Sequence, residues 1–200
     1  MFSIAVPGWG IDQMYLAYQR YKDIINPDIV VLAFIDDDVT RVLEAYRVAE
    51  RLKKPSLTVE DGKLIQQESV SLRRLRVNTL LGRSILLSVA AHEFYLATDA
   101  KHIVSQIFMT IGEEMKLKNG RMIVVTIPTR DDGAALNRIR RYLRNFGPTF
   151  DGSAVVFLDA AGELTRVPEW TTDLYAEAGH LNAVGTERLA DYVLGHIRNR

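Results

Sequence analysis

Ile29-Val30-Val31-Leu32-Ala33-Phe34-Ile35 is an unbroken apolar run of a length suited to one strand, and Asp36-Asp37-Asp38 follows it directly. A strand with no polar alternation is one covered on both faces, as in parallel sheets whose crossovers lay helices on each side. Before it, Met14, Tyr15, Tyr18, Tyr21 and Ile25 recur at helical spacing. Asp12 is placed to cap that helix and Asn26-Pro27 stops it. Earlier still, Phe2 to Val6 is a short apolar run ended by Pro7-Gly8, which reads as a strand entering a tight loop. Strand, helix, strand in this order predicts a right-handed parallel unit and therefore an α/β fold.

Downstream, Val39 to Leu52 reads as a helix, and Ser56 to Gln66 as a hairpin insertion turning at Asp61-Gly62. Amphipathic spacing predicts helices over Leu72 to Leu87 and Asp99 to Lys118, the second closed by Asn119-Gly120. Met122 to Ile127, ended by Pro128, is a third buried strand, and Ala154 to Leu158, ending at Asp159, a fourth. Between them Ala134 to Phe146 reads as a helix whose Arg138, Arg140, Arg141 and Arg144 form a solvated face. Asn182 caps a final helix whose stripe is Val184, Leu189, Val193 and Ile197. No repeat, low-complexity tract or linker interrupts the chain, so residues 1–200 read as a single domain.

Composition bounds the function. The 200 residues carry 25 basic and 25 acidic side chains, so no net charge draws the chain to nucleic acid or an anionic membrane. No apolar run approaches the roughly 20 residues that span a bilayer. Phe2 to Val6 lacks a basic lead-in and is too short for a signal peptide, which predicts a cytoplasmic protein as written. With no cysteine, disulfides and thiolate chemistry are excluded.

Two stretches hold candidate chemistry. In Glu177-Ala178-Gly179-His180-Leu181-Asn182 a carboxylate precedes a histidine by three residues, in the loop before the last helix. Glu177 could accept one imidazole proton and leave the other nitrogen of His180 as a base. Asp36, Asp37 and Asp38 stand at the carboxyl end of a buried strand, where open α/β sheets bind ligands. Such carboxylates suit a divalent metal, though successive side chains diverge and no Gly-rich phosphate loop accompanies them. His92, His102 and His196 lie in or beside helices with no partner at ligand spacing, and Trp9 and Trp170 fit a core or pocket wall.

Three separated stretches together resemble the SGNH/GDSL hydrolases, a family of serine esterases and lipases. Val6-Pro7-Gly8-Trp9-Gly10-Ile11-Asp12-Gln13 is similar to the family's second block, whose glycine, here Gly8, gives an N–H to the oxyanion. Asp36-Asp37-Asp38-Val39 is similar to the third block, where an asparagine donates to the oxyanion; Asp37 stands in its place. Glu177 to Asn182 resembles the fifth block, which supplies the orienting acid and the base, here Glu177 and His180. The resemblance implies a flavodoxin-like three-layer α/β/α sheet and hydrolysis of a small acyl or acetyl ester by a Ser-His-Glu/Asp triad, without a cofactor or resident metal.

The family's first block, a Gly-Asp-Ser at the end of the first central strand, has no counterpart here. Gly152-Ser153 precedes a strand, Ser69, Ser71, Ser84, Ser88 and Ser105 fall on helices or their flanks, and Ser3 lies at the start of a strand. The expectation is therefore an N-terminally truncated member whose nucleophile and first central strand are missing, so that the chain as written is inactive. A pseudoenzyme or small-molecule binding module on the same fold is the second reading, and a divalent-metal site on Asp36 to Asp38 the third. Asp37 weakens the oxyanion site, since an ionised carboxylate has no N–H to give and losing one donor costs about a hundred- to a thousandfold. Glu177 in place of aspartate lengthens the arm by one methylene and keeps the charge.

Overall fold

The structure, a computed structural model, describes residues 1–43, 46–47, 52–67, 90, 94–130, 154–176 and 179–198. In chain order its elements are α1 (Ile11–Ile25), β1 (Ile29–Phe34), α2 (Asp36–Thr40), β2 (Tyr46–Arg47), β3 (Leu52–Lys53), β4 (Ser56–Glu60), β5 (Lys63–Gln67), α3 (Lys101–Leu117), β6 (Arg121–Thr126), β7 (Val155–Asp159), α4 (Ala160–Leu164), α5 (Trp170–Asp173) and α6 (Ala183–Arg198). They fall into two compact units, one of Met1–Pro27 with Asp37–Ile111, the other of Asp28–Asp36 with Gly112–Arg200. The helices expected over Leu72 to Leu87 and Ala134 to Phe146 lie outside the described residues.

The second unit holds a parallel sheet of order β1-β6-β7. Its α/β class is the one the apolar runs predict. β6 is central, and Met122, Ile123, Val124 and Val125 are all buried, because strands and helices cover it on every side. On one face Ile123, Val125 and Leu158 meet Ala160, Leu164, Leu174 and Tyr175, and Leu189, Val193 and Ile197 of α6 close over them. These are three of the four residues of the stripe read from the sequence; the fourth, Val184, is exposed. Asp159 ends β7 by accepting from the N–H groups of Ala161 and Gly162, which starts α4.

β1 departs from expectation. Leu32 and Phe34 are buried, whereas Val31 is 45% exposed and Ala33 is exposed too. The run is apolar throughout, yet its side chains alternate between buried and exposed, and among the described residues β1 lies at the edge of the sheet.

In the first unit α1 begins two residues earlier than an Asp12 cap would place it. Gly10 is the N-cap, and its N–H donates to Gln13 Oε1 at 3.2 Å. Asp12 is inside the helix and wholly buried, with Lys54 Nζ 2.7 Å from its Oδ2. Asn26, in the left-handed conformation at φ 44°, closes the helix ahead of Pro27. The helix expected over Val39 to Leu52 is also corrected: a 3-10 turn at Arg41–Leu43 follows α2, and β2 then pairs antiparallel with β3. The Lys54 ammonium donates to the Arg41 carbonyl in this 3-10 turn. The 3-10 turn packs against α1, β4 and a π-helical turn at Leu96–Ala100 that leads into α3.

The hairpin β4-β5 follows the sequence. Asp61 and Gly62 have φ of 49° and 73°, as a two-residue turn joining right-twisted strands requires.

Phe2 to Val6, expected as a strand, forms none among the described residues, and every one of its side chains is exposed. Strand propensity in five residues is worth little without a ladder partner.

Candidate functional site

His180 belongs to the second unit. Its loop is built from backbone outward: Tyr175 and Leu181 form an isolated antiparallel bridge, and the Ala176 N–H donates to the His180 carbonyl at 2.8 Å. Gly179, at φ 78°, makes the reversal, and its N–H donates to the Ala176 carbonyl at 3.0 Å.

Asn182 fastens the loop to α6 and to α5. Its Oδ1 accepts from the Gly185 N–H at 2.9 Å and its Nδ2 donates to the Asp173 carbonyl at 2.8 Å. Gly185 allows the approach: a Cβ there would stand 2.3 Å from the Leu174 carbonyl oxygen. Beneath the loop the Tyr175 hydroxyl donates to the Pro128 carbonyl, and Trp170 meets the Tyr175 ring edge-on at 5.6 Å. The backbone of His180 is thus held at several points while its side chain is exposed. Glu177, its expected orienting acid, lies outside the described residues.

The carboxyl end of the sheet in the same unit brings Phe34, Thr126 and Asp159 into register on three adjacent strands. The Thr126 hydroxyl is buried with no hydrogen-bond partner among the described residues. On α6, burial first, and then the Asp159 and Glu163 carboxylates, push the Tyr192 hydroxyl above the usual phenol range.

Gly8 and Asp37 belong to the first unit. Gly8 has φ 75°, in a turn where the Trp9 N–H donates to the Val6 carbonyl at 3.3 Å, so the position requires glycine. The Asp37 side chain is 67% exposed and 3.6 Å from Arg41 Nη2, and Asp38 accepts from Arg41 Nη1. Asp36 and Asp38 are buried, so the three carboxylates diverge. Among the described residues no three His, Cys, Asp or Glu side chains converge to hold a metal ion. Asp37 and Asp38 answer the charge of Arg41.

The buried Asp12–Lys54 pair is what sequence reading missed. No local pattern joins these positions, and only folding brings them together. Burial raises the Asp12 carboxyl above the ordinary carboxylate range, and the Lys54 ammonium opposes the rise.

No family model, curated protein or solved structure matches this chain. Among the described residues no helix is long and apolar enough to cross a membrane.

Proposed function

We propose that this chain is an SGNH/GDSL-type hydrolase of small acyl esters, on a flavodoxin-like three-layer α/β/α fold, with His180 as its base. The observation that carries the reading is the clamped loop that presents an exposed His180 between the last sheet strand and α6. The order β1-β6-β7 supports it, since three adjacent parallel strands in chain order fit the last three of a 2-1-3-4-5 sheet.

In the reaction a serine oxygen attacks the ester carbonyl and His180 takes its proton. Glu177 steadies the imidazolium, and the Gly8 N–H binds the oxyanion. His180 then protonates the departing alcohol, and a water it deprotonates releases the acid. Asp37, beside Arg41, has no N–H to add. No serine stands at the carboxyl end of a described strand, so the nucleophile is the part to be supplied.

Fusing a strand that ends in Gly-Asp-Ser ahead of Met1 tests this. The fusion is expected to label with a fluorophosphonate and to turn over p-nitrophenyl acetate, and His180→Ala to lower turnover by about a thousandfold or more. A folded fusion that stays unlabelled, or one indifferent to His180→Ala, would falsify the reading. The second reading, a non-catalytic binding module, is favoured by the Asp37 carboxylate. It predicts an inert fusion that still binds a short ester.

A further inference from the structure

Among the described residues one side of the sheet has no strand beside it. The carbonyls of Asp28 and Phe34 face β6, accepting from the N–H groups of Arg121 and Ile127 at 3.0 and 2.9 Å. Along a strand successive backbone groups alternate sides, so those of Val31 and Ala33 point to the other edge of β1. Among the described residues no strand pairs with that edge. Natural edge strands are blunted by lysine, proline, bulges or inward charges. Ile29 to Phe34 has no charge and no proline, and Val31 and Ala33 are exposed.

The same chain carries a segment with the complementary defect. Met1, Phe2, Ile4 and Val6 are exposed large apolar side chains in a stretch that joins no ladder among the described residues. Its alternation fits the open edge. Phe2, Ile4 and Val6 share one face and Ser3 and Ala5 the other, while on β1 Leu32 and Phe34 are buried and Val31 and Ala33 exposed. Setting Ile4 beside Leu32 in parallel places the large residues next to Leu32 and Phe34, and the small ones next to Val31 and Ala33. Pro7 and Gly8, the latter at φ 75°, follow as a hinge of the kind that lets a terminal strand leave its own chain.

We infer that Phe2 to Val6 of one copy pairs in parallel with the open edge of β1 in a second copy, and reciprocally, making a strand-exchanged dimer. The inference does not rest on the esterase reading, in which a supplied Gly-Asp-Ser strand would lie against the same edge of β1 in place of the exchanged segment. Exchange completes across two chains the strand-helix-strand unit that the sequence predicts within one.

The full chain is the sample, at micromolar concentration and pH 8. Light scattering after gel filtration is expected to give about twice the 22.6 kDa chain mass. Val31→Lys, which places a charge on the edge without touching the β6 ladder, and Ile4→Pro are each expected to give the monomer with unchanged circular dichroism. Because the native chain has no cysteine, engineered thiols report this contact alone. An equimolar mixture of Ala5→Cys and Ala33→Cys chains should form a mixed disulfide between copies on mild oxidation. A monomeric native chain overturns the inference. So does a dimer indifferent to both substitutions, a mixture that does not cross-link, or a double-cysteine variant that closes within one chain.

Discussion

At the scale of single residues the most consequential contact is Asp12 with Lys54, two charges almost wholly removed from water. A buried pair is a weak source of stability against an apolar replacement, but removing one partner strands the other. Lys54→Met is therefore expected to lower unfolding free energy by about 3–5 kcal/mol at pH 7, read from urea midpoints. Asp12→Leu combined with Lys54→Met should recover most of it.

The single variant also acquires a pH dependence. Burial raises the folded-state pKa of Asp12, and in Lys54→Met the ammonium that opposes the rise is gone. The folded state then holds a proton that the unfolded chain has already released. Stability of Lys54→Met should be fullest in acid, below the unfolded carboxyl pKa, and should fall as pH rises through the folded one. Urea titrations at several pH values check the sign, and a variant that gains stability from acid toward neutrality contradicts it.

Gly185 is the second sensitive position. Gly185→Ala drives a methyl toward the Leu174 carbonyl, whose backbone has little room to yield, and should cost about 1–3 kcal/mol.

At the scale of elements, the loop that carries His180 depends on Asn182, which caps α6 and grips α5. Asn182→Ala should cost about 1–2 kcal/mol, which for a chain of this size is a loss of roughly 2–8 °C in melting temperature. If the loop carries the base, activity of the serine-bearing fusion should fall further than stability does.

Elements whose signals are local were the legible ones. Asn26-Pro27, Asp61-Gly62, Asn119-Gly120 and Asn182 each act within a few residues, and each marks a real boundary. Elements decided from far along the chain were not. Val39 to Leu52 has helical spacing, but Tyr46–Arg47 pairs antiparallel with Leu52–Lys53, a pairing that spacing does not show. Phe2 to Val6 has strand composition, but a strand exists only where a partner offers a ladder. The candidate site divides the same way: the position of His180 follows from the local cap at Asn182, while the engagement of Asp37 and Asp38 by Arg41 depends on side chains whose directions periodicity does not specify.

At the scale of the whole molecule, positive and negative charges balance and the isoelectric point lies near 6.9. Near that pH little net repulsion keeps copies apart, and the exposed Phe2, Ile4 and Val6 and the bare edge of β1 are then least restrained. Turbidity on concentration should be greatest close to pH 7 and decline at pH 8.5 or in the Val31→Lys variant. Equal turbidity across that range would show that side-chain charge is not what keeps the chain dispersed.

The two tryptophans are divided between the units, Trp9 in the first and Trp170, edge-on to Tyr175, in the second. Each compact half thus carries its own natural fluorophore. With Trp9→Phe the emission reports the surroundings of Tyr175 alone, and with Trp170→Phe it reports the turn that holds Gly8. Denaturation followed in the two variants would give one emission curve for each half, and whether those curves superimpose or separate measures how far the halves melt as one.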